Sequence, residues 1–274
     1  MRRPTRMMVR CALVLIAALA VCAGVVRADD MRATGAPGTT LRVGIATNYP
    51  PLAFKENGQV TGVEADFAQQ LAKDLDVKVT LVETPFEELI PALVHGKIDV
   101  IMSGMSITDA RKKFVAFTNP YTKVSQMALF RAADEDRLRK LMKSDPKSLR
   151  VAVVNGTTGE QYVRKHHRHA QVKGFGSVDD AVAALRKGDV DIFVHDSPAI
   201  WRVSGGLESP EKELAGYYEP LTDEHLAWAV RKRDGRLRSR LNAEIAKWHG
   251  SGEIESVIDH WIPVRKAIIR PRPK

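Results

Sequence analysis

Three places along the chain carry residues able to grip a small charged molecule. Arg111 follows an apolar run, Ile98-Asp99-Val100-Ile101-Met102, and a polar stretch from Ser103 to Ala110. Its planar guanidinium can clamp a carboxylate through two parallel N–H donors. Asp196 closes a second apolar run, Val190-Asp191-Ile192-Phe193-Val194-His195, and can accept from an ammonium. Asn155-Gly156-Thr157-Thr158-Gly159 lies between a strand-like and a helix-like pattern, where free amide hydrogens and the helix dipole favour an anion. A cation and an anion at matching strand ends suit a zwitterion held between them. Each group also has a plainer reading. Arg111 sits beside Lys112 and Lys113, as in a solvated basic face, Asp196 could cap a helix opening at Ser197-Pro198, and Gly-Thr-Thr turns commonly serve as N-caps.

The elements that must position these residues alternate β-like and helix-like patterns after a Gly/Pro/Thr-rich lead over 31–40, which predicts an α/β fold. Residues 41–46 read as a buried strand. Val63, Phe67, Leu71 and Leu75 recur every four residues on one helix face, 77–82 alternates as a strand does, and a helix over about 86–95 leads into a strand at 98–102. Pro91 is tolerable near that helix's first turn, where a missing amide hydrogen has no partner to lose. The same order returns as a strand at 149–154, a helix from Thr158, a strand at 171–175, a helix opened by Ser177 with Asp180 as capping-box partner, and a strand at 190–195. Ala92-Leu93-x-x-Gly96-x-Ile98-Asp99 recurs as Ala184-Leu185-x-x-Gly188-x-Val190-Asp191, and Leu41-Arg42-Val43 as Leu149-Arg150-Val151, so two lobes with similar β-α-β cores are expected. Asp99 and Asp191 are expected to terminate or orient strands. Residues 224–231 form a late strand candidate, and helix 234–249 carries Leu237, Leu241, Ile245 and Trp248 on one face, followed by Ile254, Val257, Ile258 and Trp261. Chain crossings near 124–131 and 223–230 would join the lobes and permit hinge bending. Open α/β sheets bind ligands beyond the carboxyl ends of their strands, which is where Arg111 and Asp196 fall.

The 274 residues, 44% hydrophobic and 27% charged, are enough for two cores and exclude disorder, collagen and coiled coil. The formal charge of +9 does not describe a nucleic-acid groove. Residues 1–28 hold five arginines and the last ten residues five cations, with no acid in either stretch, and removing those ten cations leaves the body near −1. The N-terminus has a basic start, the apolar stretch Cys11 to Val26, and Val26-Arg27-Ala28 before Asp29, which predicts a secretory signal peptide over 1–28. That stretch of sixteen residues falls short of the ~20 needed to span a bilayer. Both cysteines, Cys11 and Cys22, lie inside it, so the exported chain would hold no thiol or disulfide. Cys22 after Leu19-Ala20-Val21 loosely matches a lipoprotein site, but Val21 is bulky there, and free periplasmic release is expected. His166, His167 and His169 lack the i,i+4 pairing of helical zinc sites and read as a solvated face, so no metal or other cofactor is expected.

The carrying segments Tyr49-Pro50-Pro51-Leu52-Ala53-Phe54, Gly62-Val63-Glu64-Ala65-Asp66, Leu89-Ile90-Pro91-Ala92-Leu93, Ser103 to Arg111, Phe117-Thr118-x-Pro120-Tyr121, Gly156-Thr157-Thr158-Gly159 and Asp191 to Asp196, in this order, are strongly specific. Over about 41–262 the chain resembles the periplasmic amino-acid-binding proteins of ABC importers, solute-binding family 3. The resemblance implies a type II-like two-lobed periplasmic-binding-protein fold with two hinge crossings: lobe 1 over 41–128 and 223–262, lobe 2 over 129–222, and a basic tail over 263–274. It implies that Arg111 and Thr158 with its neighbour Thr157 bind an α-carboxylate, and that Asp196 binds the α-ammonium. Ser106 and the backbone at Gly104 would add hydrogen bonds, and Tyr49 and Phe86 would sandwich the side chain. Members that take basic side chains or glutamine often have an acid shortly before the tyrosine, where this chain has Ala46-Thr47-Asn48, so a polar or neutral L-amino acid is expected. Gly104 stands where many members have serine. The implied partner is an inner-membrane ABC permease, and the protein would act as a monomer.

Two other classes share the scaffold, since fold does not fix function. A cyclohexadienyl or arogenate dehydratase would need a positioned acid in the cleft, for which Glu160 and Glu87 are the candidates. A sensory module would present ligand state to a membrane kinase, an arrangement less economical without a fused membrane segment.

Overall fold

The protein, described from a computed structural model, is defined over residues 35–144, 146–205 and 213–263. The expected signal peptide and, apart from Pro263, the basic tail lie outside the described residues. Among the described residues no helix is long and apolar enough to cross a membrane.

The first half of the chain supplies β1 (Thr40–Ile45), a small antiparallel meander of β2 (Asn48–Tyr49), β3 (Ala53–Glu56) and β4 (Gln59–Thr61), then α1 (Val63–Leu75) and β5 (Lys78–Glu83). A 3-10 turn at Phe86–Glu88 precedes α2 (Leu89–Val94), followed by β6 (Val100–Ile101), the short α3 (Asp109–Lys112) and β7 (Val115–Phe117). The helix expected over 86–95 thus begins as a 3-10 turn, and Pro91 falls in the first turn of α2, where its missing N–H breaks no bond. The strand β8 (Thr122–Val124) leaves this lobe.

The second lobe holds β9 (Gln126–Arg131), α4 (Glu135–Ser144), β10 (Arg150–Val154), α5 (Thr158–His166), β11 (Gln171–Phe175), α6 (Val178–Lys187), β12 (Ile192–Asp196), α7 (Ser197–Ser204) and β13 (Leu214–Tyr217). The chain returns through β14 (Glu224–Leu226) and β15 (Ala229–Arg231) and ends in α8 (Gly235–Ser251) and α9 (Glu253–Trp261). Residues 224–231 are therefore two strands rather than one. β14 pairs antiparallel with β8, Glu224 opposite Val124, whereas β15 joins the first lobe's sheet. Trp228 lies between them, its backbone N donating to Thr118 Oγ1 and its indole Nε1 to the buried Glu64, so the chain turns there into the first core.

The two main sheets have matching orders, β5-β1-β6-β15-β7 and β11-β10-β12-β9-β13. In each, three parallel strands are followed by one antiparallel to them, and β9 entering the second lobe takes the place that returning β15 takes in the first. The sequence repeat has a physical counterpart. Asp99 accepts from Arg42 through the backbone N at 3.0 Å, Nε at 2.9 Å and Nη2 at 2.8 Å, and Asp191 accepts from Arg150 through the same three atoms at 3.0, 3.0 and 2.8 Å. Each carboxylate ties the loop before one strand to the parallel strand beside it, β1 in the first sheet and β10 in the second. Gly96 and Gly188, one after each preceding helix, have φ of +74° and +81°, conformations that glycine adopts without a Cβ clash. Ser177 caps α6 by accepting from Asp180 N, as the capping-box spacing predicts.

Val63, Phe67, Leu71 and Leu75 are all buried, and so are Leu237, Leu241, Ile245 and Trp248 on α8. Phe67 stacks on Trp248 at 5.7 Å, and Trp228 meets Trp248 edge-on at 5.8 Å. Burying each such large apolar side chain contributes about 1.5–3 kcal/mol, so this helix–helix seam fastens the late helices onto the first lobe.

Candidate ligand-binding cleft

Five segments at the carboxyl ends of parallel strands meet between the lobes. β1 leads to Asn48 and Tyr49, β5 to Phe86, β6 to the stretch ending in Arg111, β10 to Gly156-Thr157-Thr158, and β12 ends in Asp196. They form a cleft lined by Arg111, Asp196, Thr158, Thr157, Ser106, Gly104, Tyr49 and Phe86, together with Asn48, Val154 and His195. All eight residues singled out in the sequence line this one cleft.

Arg111 is 7% exposed, whereas Lys112 and Lys113 beside it are exposed, so the solvated-face reading holds only for the lysines. Thr108 caps α3 by accepting from Arg111 N at 3.2 Å, which fixes the backbone that carries the guanidinium. Nη1 donates to Ser106 O at 2.8 Å and Nη2 to Gly156 O at 3.0 Å, one carbonyl from each lobe. The guanidinium carbon lies 5.3 Å from the centre of the Phe86 ring. Burial lowers the guanidinium pKa from its ordinary value, while the negative charges of Asp196 and Glu224 act in the other direction. Arginine remains charged under these conditions.

Asp196 stands at the N-cap position of α7 but makes no capping hydrogen bond with its side chain. Its oxygens instead accept from Tyr49 Oη at 2.6 Å and from Gln126 Nε2. Burial pushes its pKa up to about 6, with the charge of Glu224 adding to the rise and Tyr49, Gln126 and Arg111 opposing it. Gln126 Nε2 also meets Thr158 Oγ1 at 3.0 Å and Glu224 Oε1 at 3.2 Å. His195 is buried against Tyr49, ring centres 4.8 Å apart, and burial lowers its pKa to about 3, so it is neutral. Arg111 and Asp196 are thus the two charged groups among the described residues lining the cleft.

Two assignments need adjustment. The Thr157 hydroxyl donates to Val154 O at 2.7 Å and accepts from Glu160 N at 3.3 Å, so it is committed to capping α5. Gly104 N donates to Glu64 Oε1 at 2.5 Å, which leaves the carbonyl of that residue for other contacts. The absence of a side chain at Gly104 has a steric cause: its φ is +60°, and a Cβ there would lie 2.7 Å from Leu52 Cδ1 and 2.9 Å from Tyr49 Cε1.

Sequence reasoning missed Asn48, whose amide donates to Gly176 O of the other lobe, and His195, which the repeat placed next to Asp196. It also missed Gln126 and Glu224, which lie at the start of β9 and on the returning crossing, far in sequence from the groups they touch. Glu160 accepts from Gly156 N at 2.8 Å and pairs with Arg164 at 2.9 Å, and neither it nor Glu87 lines the cleft. His166 stacks on Tyr162 at 4.7 Å, and no group of three potential metal ligands occurs among the described residues.

Residues 41–264 match the bacterial extracellular solute-binding proteins, family 3. The chain belongs to this family. Among its relatives this family 3 protein is 36% identical over 180 residues to a probable histidine-binding protein of Campylobacter jejuni, covering 66% of this chain and 67% of the other. It is 29% identical to ABC transporter arginine-binding protein 1 of Escherichia coli, covering 81% and 90%. Of solved structures, an ancestral amino acid-binding protein described as a precursor of cyclohexadienyl dehydratase superposes with a TM-score of 0.75 at 33% identity over 86% of this chain and 98% of the other. A binding component of an ABC transporter from Wolinella succinogenes, complexed with lysine, gives a TM-score of 0.76 at 29% identity, covering 84% and 99%. The two-lobed architecture is that of these neighbours.

Proposed function

We infer that the protein is the periplasmic substrate-binding component of an ABC importer, that it captures a polar or neutral L-amino acid between its lobes, and that it hands the ligand to a membrane permease. The observation that carries this reading is the pairing of one cation, Arg111, with one anion, Asp196, on a cleft whose other lining groups are uncharged. The α-carboxylate is taken by Arg111, with the Thr158 hydroxyl and the first turn of α5 beside it. The α-ammonium is taken by Asp196. Ser106 and the Gly104 carbonyl complete the polar shell, and Tyr49 and Phe86 flank the side chain, with Asn48 and neutral His195 as polar neighbours. Once the zwitterion has matched both charges, a further charge on the side chain would be buried without a partner, which is why a side chain without net charge is favoured.

The lobes, expected over 41–128 with 223–262 and over 129–222, turn about β8 and β14, with β9 from Gln126 onward counted in the second. A ligand that touches both lobes only when they are together stabilises that arrangement, which is the differential affinity a population shift requires. Export rests on residues 1–28 as a cleaved signal peptide. Relatives with transport names, and the commitment of Glu160 to the turn at Gly156 and to Arg164, support binding without chemistry over a dehydratase.

Thermal melting against the twenty L-amino acids, prephenate and arogenate tests the reading, because a ligand that binds only the folded state raises the midpoint by mass action. A shift with one or a few uncharged amino acids recovered intact is the expected result. Consumption of prephenate, or a response confined to lysine and arginine, would overturn the corresponding part.

A further inference from the structure

Glu64, the second residue of α1, is fully buried in the first lobe and does not line the cleft. A buried acid is costly unless donors surround it. Three donors converge on this one. Oε1 accepts from Gly104 N at 2.5 Å and from Tyr121 Oη at 2.6 Å, and Oε2 accepts from Trp228 Nε1 at 3.0 Å. Such a set suits an ionised carboxylate, which only accepts.

The donors come from three segments on which the cleft depends. Gly104 lies near the start of the stretch that carries Ser106 and Arg111, Tyr121 directly precedes β8, and Trp228 sits between β14 and β15. Backbone hydrogen bonds join the same segments. Ile107 N donates to His225 O at 2.9 Å, Ala227 N to Met105 O at 3.1 Å, and Tyr121 N to Leu226 O at 3.0 Å. The stretch from Met105 to Ile107 is thus fastened to the returning crossing. Glu64 closes the ring by holding Gly104, Tyr121 and Trp228 to α1.

Two other acids on α1 provide a contrast. Asp66 accepts from Trp261 Nε1 and Asp74 from Trp248 Nε1, both at 2.7 Å, so each also fastens an indole of the late helices. Of the three acids, Glu64 is the one that also holds the stretch leading to Arg111. We propose that Glu64 is a positioning residue for ligand binding, setting affinity through Gly104 without touching the ligand. It fixes the peptide between Ser103 and Gly104, and through it the placement of Ser106 and Arg111. Groups that grip a small molecule lose much of their worth when they shift by a fraction of an ångström, so their supports matter as much as their chemistry. The effect on affinity rests on the amino-acid reading of the cleft; the anchoring of the stretch does not.

The test sets Glu64→Gln beside Asp66→Asn and Asp74→Asn. An amide offers one oxygen and no charge, so Glu64→Gln cannot serve all three donors. The probe is whichever of the twenty L-amino acids gives the largest melting shift, titrated calorimetrically well below every variant's midpoint. Glu64→Gln weakens its binding by about tenfold. Asp66→Asn and Asp74→Asn lower the melting midpoint but stay within about twofold of the unaltered protein in affinity. Hydrogen exchange in the unliganded protein accelerates over 103–111 in Glu64→Gln and is unchanged over 150–158 of the second lobe. Should Glu64→Gln fail to fold, Glu64→Asp, which keeps the charge but draws the oxygens back by one methylene, shows the same two effects. Unchanged affinity, unchanged exchange over 103–111, or an equal loss of affinity in Asp74→Asn would overturn the proposal. If no amino acid binds the unaltered protein, the effect on affinity falls with the functional reading, and exchange over 103–111 decides the anchoring by itself.

Discussion

Tyr49 and Asp196, 147 residues apart and carried by different lobes, share a hydrogen bond of 2.6 Å on the wall of the cleft. The Asp196 carboxylate is therefore already held by a donor from the opposite lobe. With burial and Glu224 raising its pKa to about 6, its charge state becomes sensitive to mild acid.

Ligand affinity accordingly depends on pH in a defined direction. An ammonium needs the ionised carboxylate, so affinity is level above about pH 6 and falls by up to about tenfold per unit below it, with uptake of ligand releasing a proton. For the unliganded protein the sign runs the other way: a raised carboxyl pKa contributes stability below the unfolded value of about 4 that is lost as pH rises to about 6. Calorimetric titrations in buffers of different ionisation enthalpy count the proton directly. A pH-independent affinity between 5 and 7 would contradict the assignment of Asp196.

Glu224→Gln removes a negative charge that raises the Asp196 pKa while keeping a group able to meet Gln126. The midpoint of the affinity profile moves to lower pH, and Tyr49→Phe, which deletes a hydrogen bond to the carboxylate, moves it higher. Opposite displacements in the two variants separate this electrostatic effect from a general loss of structure.

Arg111→Ala and Asp196→Ala each remove one half of the proposed zwitterion clamp, at an expected cost of about 2–5 kcal/mol in binding. That corresponds to a loss of roughly thirtyfold to several-thousandfold in Kd, at or beyond the end of measurable binding for most amino acids. The melting point of the unliganded protein changes little, because neither residue belongs to an apolar core cluster. A normal melting shift on adding ligand to Arg111→Ala would sink the site.

Asp191→Ala leaves the cleft intact but releases Arg150 and Arg137. Burial alone would raise the Asp191 pKa, but the hydrogen bonds from these arginines prevail and hold it at about 2. Its stabilisation is therefore present above the unfolded value of about 4 and lost as pH falls towards 2. Both arginines are part-exposed and water replaces some of the lost contacts, so the expected cost at neutral pH is about 2 kcal/mol, or roughly 4–8 °C in midpoint. Ligand affinity at saturating folded protein is unchanged.

Export makes a separate expectation. Terminal sequencing of the protein recovered from the periplasm begins at Asp29, whereas a lipid-modified Cys22 at the N-terminus would show anchoring instead.

The sequence by itself determined the α/β class, the duplicated β-α-β core and the positions of Arg111, Asp196 and the Gly156-Thr157-Thr158 turn at strand ends, while Tyr49, Phe86, Ser106 and Gly104 come from the family resemblance. The former features are written in local patterns: apolar periodicity, strand ends and the Asp99 and Asp191 repeats, each readable within a few residues of itself. The break between β14 and β15 was not legible, because the side chain that turns the chain, Trp228, takes its direction from Glu64, 164 residues away. The roles of Gln126 and Glu224 were hidden for the same reason. Neither has a motif around it, and each acquires its meaning only when the crossings bring it against Asp196 and Thr158. Tertiary structure also separated two adjacent, chemically identical hydroxyls, since the cap geometry of α5 commits Thr157 to Val154 O and Glu160 N, whereas Thr158 accepts from Gln126 Nε2 at the cleft wall. Residue type and spacing specify what a group can do, but charge state and hydrogen-bond commitments depend on burial and on neighbours that the chain supplies from far away.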